Sequence, residues 1–223
     1  MIRLLSLNVG RPHVVLKRGR RYSTSIGRRP VEGRLLVTAE GVEGDRVSDN
    51  ENHGGPDKAV CVYPHEHYTW LAERLGRGGD ADSVGPAAAG ENFTTLGLIE
   101  AEVQIGDVLA IGEALLQVAQ PRMPCYKFAN RHDEPRLVDW IYATGHCGYY
   151  LRVLAAGMVG AGDEVRIERR GESGLTVAEV LRARGPDGAS VDLLRRIADA
   201  PDITEWWRVW ARERLVAGAA GQG

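Results

Sequence analysis

The chain has 223 residues, 43% of them hydrophobic, which suits one domain with an appendage or two small domains around a full core. The formal net charge of −2 argues against a general nucleic-acid-binding protein, which would carry a clear excess of basic residues. Because no apolar run reaches about 18 residues, neither a transmembrane helix nor a membrane partner is expected.

The first two thirds of the chain read as short strands separated by glycine-rich turns. Strands are predicted at residues 2–9, 33–38, 59–63, 101–105, 108–111 and 115–118. Residues 66–75 have helical spacing, and the Gly/Ala/Asp-rich stretch 76–89 is predicted to be a mobile surface loop. Many short strands with such turns are typical of a β-barrel or a strongly curved sheet. The predicted fold class is therefore mainly β with α, an α+β fold.

After about residue 170 the pattern becomes helical. The predicted segments are a linker at 171–174 and helices at 175–181, 191–198 and about 203–215. Asp202 and Thr204 are equally good N-caps for the last helix. These changes divide the chain into a domain at 1–168 and a helical subdomain at 171–217.

The last predicted helix carries Trp206, Trp207 and Trp210. We interpret these tryptophans as packing anchors for the small helical subdomain. The alternative is that they bind a redox partner or a second copy of the chain, so a homodimer stays open. Residues 217–223 are predicted to fray.

The three cysteines, Cys61, Cys125 and Cys147, have neither CxxC nor zinc-ligand spacing. A disulfide framework or a structural zinc site is therefore not expected. The start of the chain is too short and too strand-like for a signal peptide, which favours a reducing, cytoplasmic location. Cys61 lies in an apolar strand and is predicted to be buried and inert. Cys147 is interpreted either as a turn filler or as a second thiol that approaches Cys125 in space.

Cys125 lies in a loop whose sequence suggests chemistry, Pro-Arg-Met-Pro-Cys-Tyr-Lys at 121–127. The prolines restrict the backbone, so Cys125 is not expected inside a helix. Positive charge from Arg122 and Lys127 would favour the thiolate, which is both the nucleophile and the ligand for soft metals. The alternative is a small apolar filler between two solvated cations.

A second cluster combines Gly-Asp-Arg at 44–46 with His-Gly-Gly-Pro-Asp-Lys at 53–58, just before a predicted strand. Such a turn exposes backbone N–H groups beside Arg46, His53 and Lys58, which suits phosphate or another anion. An ordinary turn is the alternative.

Two further groups of polar residues lie on or near predicted strands. Asn92 and Thr94 have side chains that hydrogen-bond a heterocycle or cap a turn. Arg152 alternates with apolar residues, and an inward-facing arginine needs a partner because burying its charge alone is costly. That partner is either a bound anion or an Asp or Glu of the protein.

Together these motifs make the chain resemble the MOSC domain family, the molybdenum-cofactor sulfurase C-terminal domain, in its stand-alone bacterial YiiM-like branch. The matching motifs are Gly-Val-Glu-Gly-Asp-Arg at 41–46, His-Gly-Gly-Pro-Asp-Lys-Ala-Val at 53–60, Tyr-Pro-His-Glu-His-Tyr at 63–68, Gly-Glu-Asn-Phe-Thr at 90–94, Gly-Leu-Ile-Glu at 97–100, Pro-Arg-Met-Pro-Cys-Tyr-Lys at 121–127 and Gly-Tyr-Tyr-Leu-Arg-Val-Leu at 148–154. They lie in family order and cover about residues 1–168. The helical remainder is similar to the three-helix extension of that branch.

The resemblance implies a MOSC-type β-barrel that binds molybdenum cofactor through a molybdopterin, with Cys125 as the molybdenum ligand. A soft thiolate suits such a sulfur-rich metal centre. The residues implied to contact the phosphate, pterin or oxo groups are Arg46, His53, Lys58, Asn92, Thr94, Arg122, Lys127 and Arg152. The segment 22–28 is expected to line the same pocket, while Asp45 and Glu91 would orient backbone or cationic groups. Pyridoxal phosphate binding is not expected.

The chemistry implied by the resemblance is reduction of N-hydroxylated compounds such as hydroxylaminopurines, amidoximes or hydroxylamines. The sequence has no flavin fingerprint and no iron–sulfur cysteine run, so electrons are expected from a separate redox partner. Tyr126 and His53 are the candidate proton donors. Two alternatives stay open, which are a sulfur-transfer protein that carries a persulfide on Cys125 and a non-catalytic carrier of molybdenum cofactor.

Overall fold

The computed structural model describes residues 1–220, with side chains described as far as residue 218. The strands are β1 (Arg3–Val9), β2 (His13–Lys17), β3 (Arg20–Thr24), β4 (Arg29–Pro30), β5 (Arg34–Thr38), β6 (Gly41–Val42), β7 (Val60–Pro64), β8 (Phe93–Leu96), β9 (Val108–Ile111), β10 (Ala114–Pro121), β11 (Tyr149–Ala155), β12 (Gly157–Gly160) and β13 (Val165–Arg169). The α-helices are α1 (Asn50–His53), α2 (Glu66–Arg74), α3 (Tyr126–His132), α4 (Leu137–Thr144), α5 (Val177–Arg182), α6 (Val191–Asp199) and α7 (Glu205–Ala220). Short 3-10 helices cover Pro56–Lys58 and Ala81–Val84.

Eight strands form one sheet in the order β13-β9-β10-β11-β7-β8-β1-β4. Its neighbours are antiparallel except β7 and β8, which run parallel. The sheet curls until β1 reaches the start of β13. There the backbones of Arg3 and Glu164 form an antiparallel β-bridge. Beside that bridge the Leu4 N–H donates to the Asp163 carbonyl (2.9 Å) and the Val165 N–H to the Ile2 carbonyl (3.0 Å). The sheet therefore closes on itself, and the predicted α+β fold with a β-barrel is confirmed.

The barrel is filled by apolar side chains from strands on all sides. Leu4, Phe93, Leu109 and Leu116, from β1, β8, β9 and β10, are fully buried. All five residues of β7 are buried, which explains why its sequence is an unbroken apolar run and not an alternating one. The candidate site described below lies around this rigid sheet.

Two sequence predictions in the first part of the chain are wrong. Residues 101–105 form a turn with a single β-bridge, between Gln104 and Thr176, and not a strand, because the Val103 N–H bonds back to the Ile99 carbonyl. The buried Val103 and Ile105 flank the less buried Gln104, and this alternation is the pattern that predicted a strand. The stretch 76–89 is not simply a surface loop, since it contains a 3-10 helix and ends in the buried run Ala87–Ala89.

The three C-terminal helices lie close to their predicted positions, and α7 continues to Ala220. The predicted fraying is therefore wrong for residues 217–220, and residues 221–223 lie outside the described part. The two predicted N-caps turn their side chains toward the barrel instead. Asp202 accepts a hydrogen bond from Gln117 (3.1 Å), and Thr204 donates to Gln120 (3.3 Å).

The helices and the barrel share one hydrophobic core, to which Trp207 contributes a fully buried ring. This agrees with its interpretation as a packing anchor, whereas Trp206 is 48% exposed. A division of the chain near residue 170 stays a prediction. Within residues 1–220, no helix has the length and apolar character needed to span a membrane.

A buried histidine makes the fold sensitive to acid. His132 is buried at the end of α3, with its Nε2 2.8 Å from the Ala88 carbonyl, and desolvation lowers its pKa to about 4. In the unfolded chain the same group titrates near ~6.5. Between these values the unfolded state binds more protons than the folded state, so stability is full above the unfolded pKa and falls as the pH decreases toward 4.

We expect His132→Gln to flatten this loss, because glutamine keeps an N–H donor for the Ala88 carbonyl but does not titrate. Urea unfolding between about pH 7 and pH 4.5 measures the effect, whose upper limit is about 1.4 kcal/mol per pH unit. An unchanged slope in the variant would show that His132 does not cause the sensitivity.

Candidate functional site

A cavity of about 200 Å³ opens beside the barrel. Its lining comes from the segments 24–28, 40–61, 89–92 and 122–127, and from Tyr150. These segments are far apart in sequence and come together because the barrel places their parent strands side by side. Of the segment 22–28, which was expected to line the pocket, residues 24–26 and Arg28 line this cavity.

Cys125 lies at the cavity wall, immediately before α3. It is the N-cap residue of that helix, with extended backbone (φ −132°, ψ 161°), so the prediction that it lies outside a helix is confirmed. Its carbonyl accepts the N–H of Phe128 (3.1 Å), while its side chain makes no cap and is half-buried. The thiol is therefore held in place by the backbone and faces the cavity.

The other two cysteines are in different surroundings. Cys61 on β7 also lines the cavity but is only 5% exposed, and burial raises its pKa to about 11. Cys147 is fully buried, bonded through its Sγ to the Gly148 carbonyl (2.9 Å), and outside the lining. Burial raises its pKa as well. Of the three, Cys125 is the thiol with access to the cavity and to solvent.

Arg122 is the deepest cation in the lining, 6% exposed. Its Nη2 donates to the Ala89 carbonyl (2.7 Å), and its guanidinium lies 4.8 Å from the centre of the Phe128 ring. Its Nη1 is buried and has no hydrogen-bond partner among the described residues. A buried charged donor without a hydrogen-bond partner is costly to the fold.

Arg28 is a second buried cation in the lining, inside the segment 22–28 that was expected there, although it was not selected as a contact residue. It forms two hydrogen bonds with Asp45 (2.9 and 2.7 Å) and donates to the Gly90 carbonyl (2.5 Å). Asp45 also accepts the Gly10 N–H (2.8 Å). The pair joins three of the segments around the cavity. Because its charge is neutralised, Arg28 holds the walls together more than it attracts a ligand.

Three further cations predicted for the site lie in the lining. They differ in the contacts that they make with the protein and in their exposure. Lys127 is buried and lies 3.6 Å from Asp49. Lys58 donates to the Asn52 carbonyl (2.7 Å), and desolvation lowers its pKa. Arg46 is exposed.

His53 also lines the cavity, half-buried, and its pKa is lowered to about 4 by desolvation and then by the charges of Lys127 and Arg122. It is therefore neutral at pH 7. The lining as a whole contains five arginines and lysines and only two carboxylates, which favours an anionic ligand.

The remaining predicted residues are held by the protein itself. Asn92 lines the cavity, but its amide oxygen accepts the Cys61 N–H (3.1 Å) and its amide nitrogen donates to the Asn8 carbonyl (3.3 Å). Thr94 lies outside the lining and donates to Glu91 (2.9 Å). Glu91 also accepts the Ala89 N–H (3.0 Å), in agreement with its expected orienting role.

Arg152 also lies outside the lining. Its Nε is 2.7 Å from Asp57 Oδ1, an ion pair that lies outside hydrogen-bond geometry, and its Nη1 donates to Gln117 (3.3 Å). Of the two partners left open by the sequence, the protein carboxylate is the one observed. Arg152 is thereby separated from the cations that face the cavity.

Comparison with known proteins gives one family. The model of the MOSC domain matches residues 49–166. The uncharacterized protein YflK of Bacillus subtilis (strain 168) is 40% identical over 205 residues, which cover 92% of this chain and 90% of YflK. The crystal structure of YiiM from Geobacillus stearothermophilus is 33% identical, with a TM-score of 0.79 over 96% of this chain and 100% of that one.

A longer relative carries a functional name. A protein of Gibberella moniliformis (strain M3125 / FGSC 7600) named "Reductase" is 33% identical over 202 residues, which are 88% of this chain but 35% of that protein. The chain therefore spans about a third of this relative.

Proposed function

The chain belongs to the MOSC domain family, and we propose that it binds molybdenum cofactor and reduces N-hydroxylated small molecules with electrons from a separate protein. The single observation that supports this most is that Arg122, whose buried Nη1 has no hydrogen-bond partner among the described residues, lines the same cavity as the half-buried thiol of Cys125. One group offers a charged donor and the other a soft ligand. A cofactor with a phosphate and a sulfur-bound metal needs both.

The residues present fit this group. Cys125 would hold the metal as a thiolate, and Arg122 would donate to an anionic oxygen, with Lys127 and Lys58 adding positive charge at the rim. When bound, the cofactor would supply two-electron chemistry in which an N-hydroxyl compound, two electrons and two protons give the amine and water. The protein would bind, orient and provide protons.

The proton is best assigned to His53 among the two candidates, because His53 lines the cavity and Tyr126 does not. With a pKa of about 4, His53 is a neutral imidazole at pH 7. A neutral ring accepts a proton on one nitrogen and gives one from the other, so His53 would act as a relay and not as a charged acid. Asn92, with both ends of its amide bonded, would keep the wall rigid.

A second candidate function is sulfur transfer by a persulfide on Cys125, which is favoured by the presence of another thiol, Cys61, in the same lining. The raised pKa of Cys61, about 11, weighs against it because attack on a persulfide requires the thiolate. A non-catalytic carrier would bind molybdenum cofactor but would not convert a substrate.

Metal and pterin analysis of protein made in a host that synthesises molybdenum cofactor separates the three functions. The assay uses benzamidoxime as substrate and reduced methyl viologen as donor. The reductase requires stoichiometric molybdenum and pterin together with amidine formation. Cofactor without turnover would indicate a carrier, and protein without molybdenum would contradict both and favour sulfur transfer.

A further inference from the structure

A basic arm beside the cavity takes no part in its lining until its last residue. It comprises residues 11–24, which are β2, a turn and β3. Arg18 and Gly19 form the turn at positive φ (50° and 74°), the conformation that a two-residue hairpin connection needs. The two strands pair only with each other within the described residues. Such a ribbon is marginally stable unless other contacts hold it.

Contacts with α3 hold the arm in place. Lys17 pairs with Asp133 at 2.6 Å, and the Tyr22 hydroxyl accepts a hydrogen bond from Asn130 (3.2 Å). The Tyr22 ring meets Tyr126 edge-on at 5.4 Å. These contacts use one face of the ribbon, so the other face is left to solvent.

The outer face carries two aliphatic side chains and one arginine, while the other arginines of the arm lie at its ends. Residues directly opposite in an antiparallel pair share a face, and the register places Val14 beside Ser23 and Leu16 beside Arg21. Val14 is 57% and Leu16 73% exposed. Two exposed aliphatic side chains beside Arg21, with the exposed Arg20 at the turn on the opposite face, form a small amphipathic surface that suits contact with another protein.

The positive charge of this region is not balanced locally. The whole chain has 30 acidic and 28 basic residues, yet residues 1–31 contain no aspartate or glutamate. Arg11, Arg20 and Arg21 are exposed and have no ion-pair partner among residues 1–220. The field of the arm therefore reaches solvent and would attract an acidic partner.

The arm is also next to the cavity. β3 ends at Thr24, which lines the cavity together with Ser25. Although desolvation raises the pKa of Tyr126, the charge of Arg20 acts in the opposite direction, so Arg20 lies near the residue that follows Cys125. A protein bound to the arm would stand at the mouth of the cavity.

We propose that the arm is the docking surface for an acidic electron-carrier protein that reduces the bound cofactor. This rests on the proposed reductase function. The unbalanced arginines supply the charge complementarity, and Val14 and Leu16 supply the apolar contact. Nucleic acid fits less well, because the chain as a whole has a formal net charge of −2 and the exposed aliphatic side chains form no hydrogen bonds with phosphates.

The test compares two triple variants of the cofactor-loaded protein, Arg11→Glu/Arg20→Glu/Arg21→Glu in the arm and Arg169→Glu/Arg195→Glu/Arg214→Glu elsewhere. All six arginines are exposed, and the variants change the net charge equally. Benzamidoxime reduction is driven either by reduced methyl viologen, which needs no docking surface, or by a plant-type [2Fe–2S] ferredoxin or a flavodoxin, both small acidic proteins. Titration with oxidised ferredoxin measures docking without turnover.

We expect the arm variant to lose about tenfold or more in donor-dependent kcat/KM at low ionic strength, and to bind oxidised ferredoxin correspondingly more weakly. The viologen-driven rate of the arm variant should equal that of the native protein. The variant at Arg169, Arg195 and Arg214 should keep the native rate with viologen and with the acidic protein donor. Equal losses in the two variants, no loss in the arm variant, or failure of both acidic donors with the native protein would overturn the proposal. So would binding of a short RNA through the arm with donor-driven turnover intact.

Absence of viologen-driven turnover in all three proteins would contradict the proposed reductase function. In that case the titration with oxidised ferredoxin still decides the docking proposal by itself. Weaker binding by the arm variant alone would support an acidic partner. Equal binding by all three would reject one.

Discussion

Replacing Cys125 with alanine is expected to reduce N-hydroxyl reduction to background while leaving the protein folded. The thiol is half-buried, faces the cavity and makes no side-chain cap for α3, so its loss removes little packing. The free energy of unfolding should change by less than about 1 kcal/mol. If Cys125 is the molybdenum ligand, the molybdenum content or the metal's absorption spectrum should change together with the activity. A fully active Cys125→Ala enzyme would refute the ligand role.

Cys61→Ala is the matched control, because it removes a thiol from the same cavity. Burial raises the pKa of Cys61 to about 11, so this group is a neutral thiol at pH 7 and a poor ligand. We expect the control to keep metal and turnover, with a modest loss of stability from the small void left in β7. If it instead lost sulfur-transfer activity while reduction was absent in both proteins, the persulfide function would gain support.

The features that the sequence predicted correctly depend on short contiguous motifs. The strands around glycine turns and the position of Cys125 just outside a helix follow from local rules for proline, glycine and apolar runs. The helices α3 and α4 were not predicted, because each has at most eight residues and begins two residues after a proline. Short helices depend on tertiary packing more than on propensity.

The partners of polar side chains could not be predicted, because they lie far apart in the sequence. The alternating pattern around Arg152 left open whether its partner is a bound anion or a protein carboxylate, and the observed partner, Asp57, is brought near only by the fold. Arg28 has no distinguishing neighbours, and its role becomes visible only through Asp45 and the Gly90 carbonyl. A single sequence shows which residues can serve a site, but the fold decides which charges remain free to do so.

The difference between a charge that remains free and one that is paired within the protein predicts opposite results for Arg122 and Arg152. Arg122→Met should lower cofactor occupancy, because a charge-assisted hydrogen bond worth about 1.5–3 kcal/mol is lost, which corresponds to roughly 10- to 150-fold in affinity. Its effect on stability should be smaller, since the change leaves the Ala89 carbonyl unpaired but also removes a buried charge whose Nη1 has no partner. Arg152→Met should leave occupancy unchanged, because that guanidinium is already paired with Asp57 outside the lining.

Both variants are measured by the molar ratio of molybdenum and pterin to protein, beside urea unfolding of the same preparations. Equal loss of cofactor in the two would show that Arg152 reaches the ligand when the cofactor is bound, as the family resemblance implies. Full occupancy in Arg122→Met would mean that the buried cation serves the fold alone. Only the combination of lost occupancy for Arg122 and retained occupancy for Arg152 agrees with a cavity whose unpaired charge is kept for the cofactor.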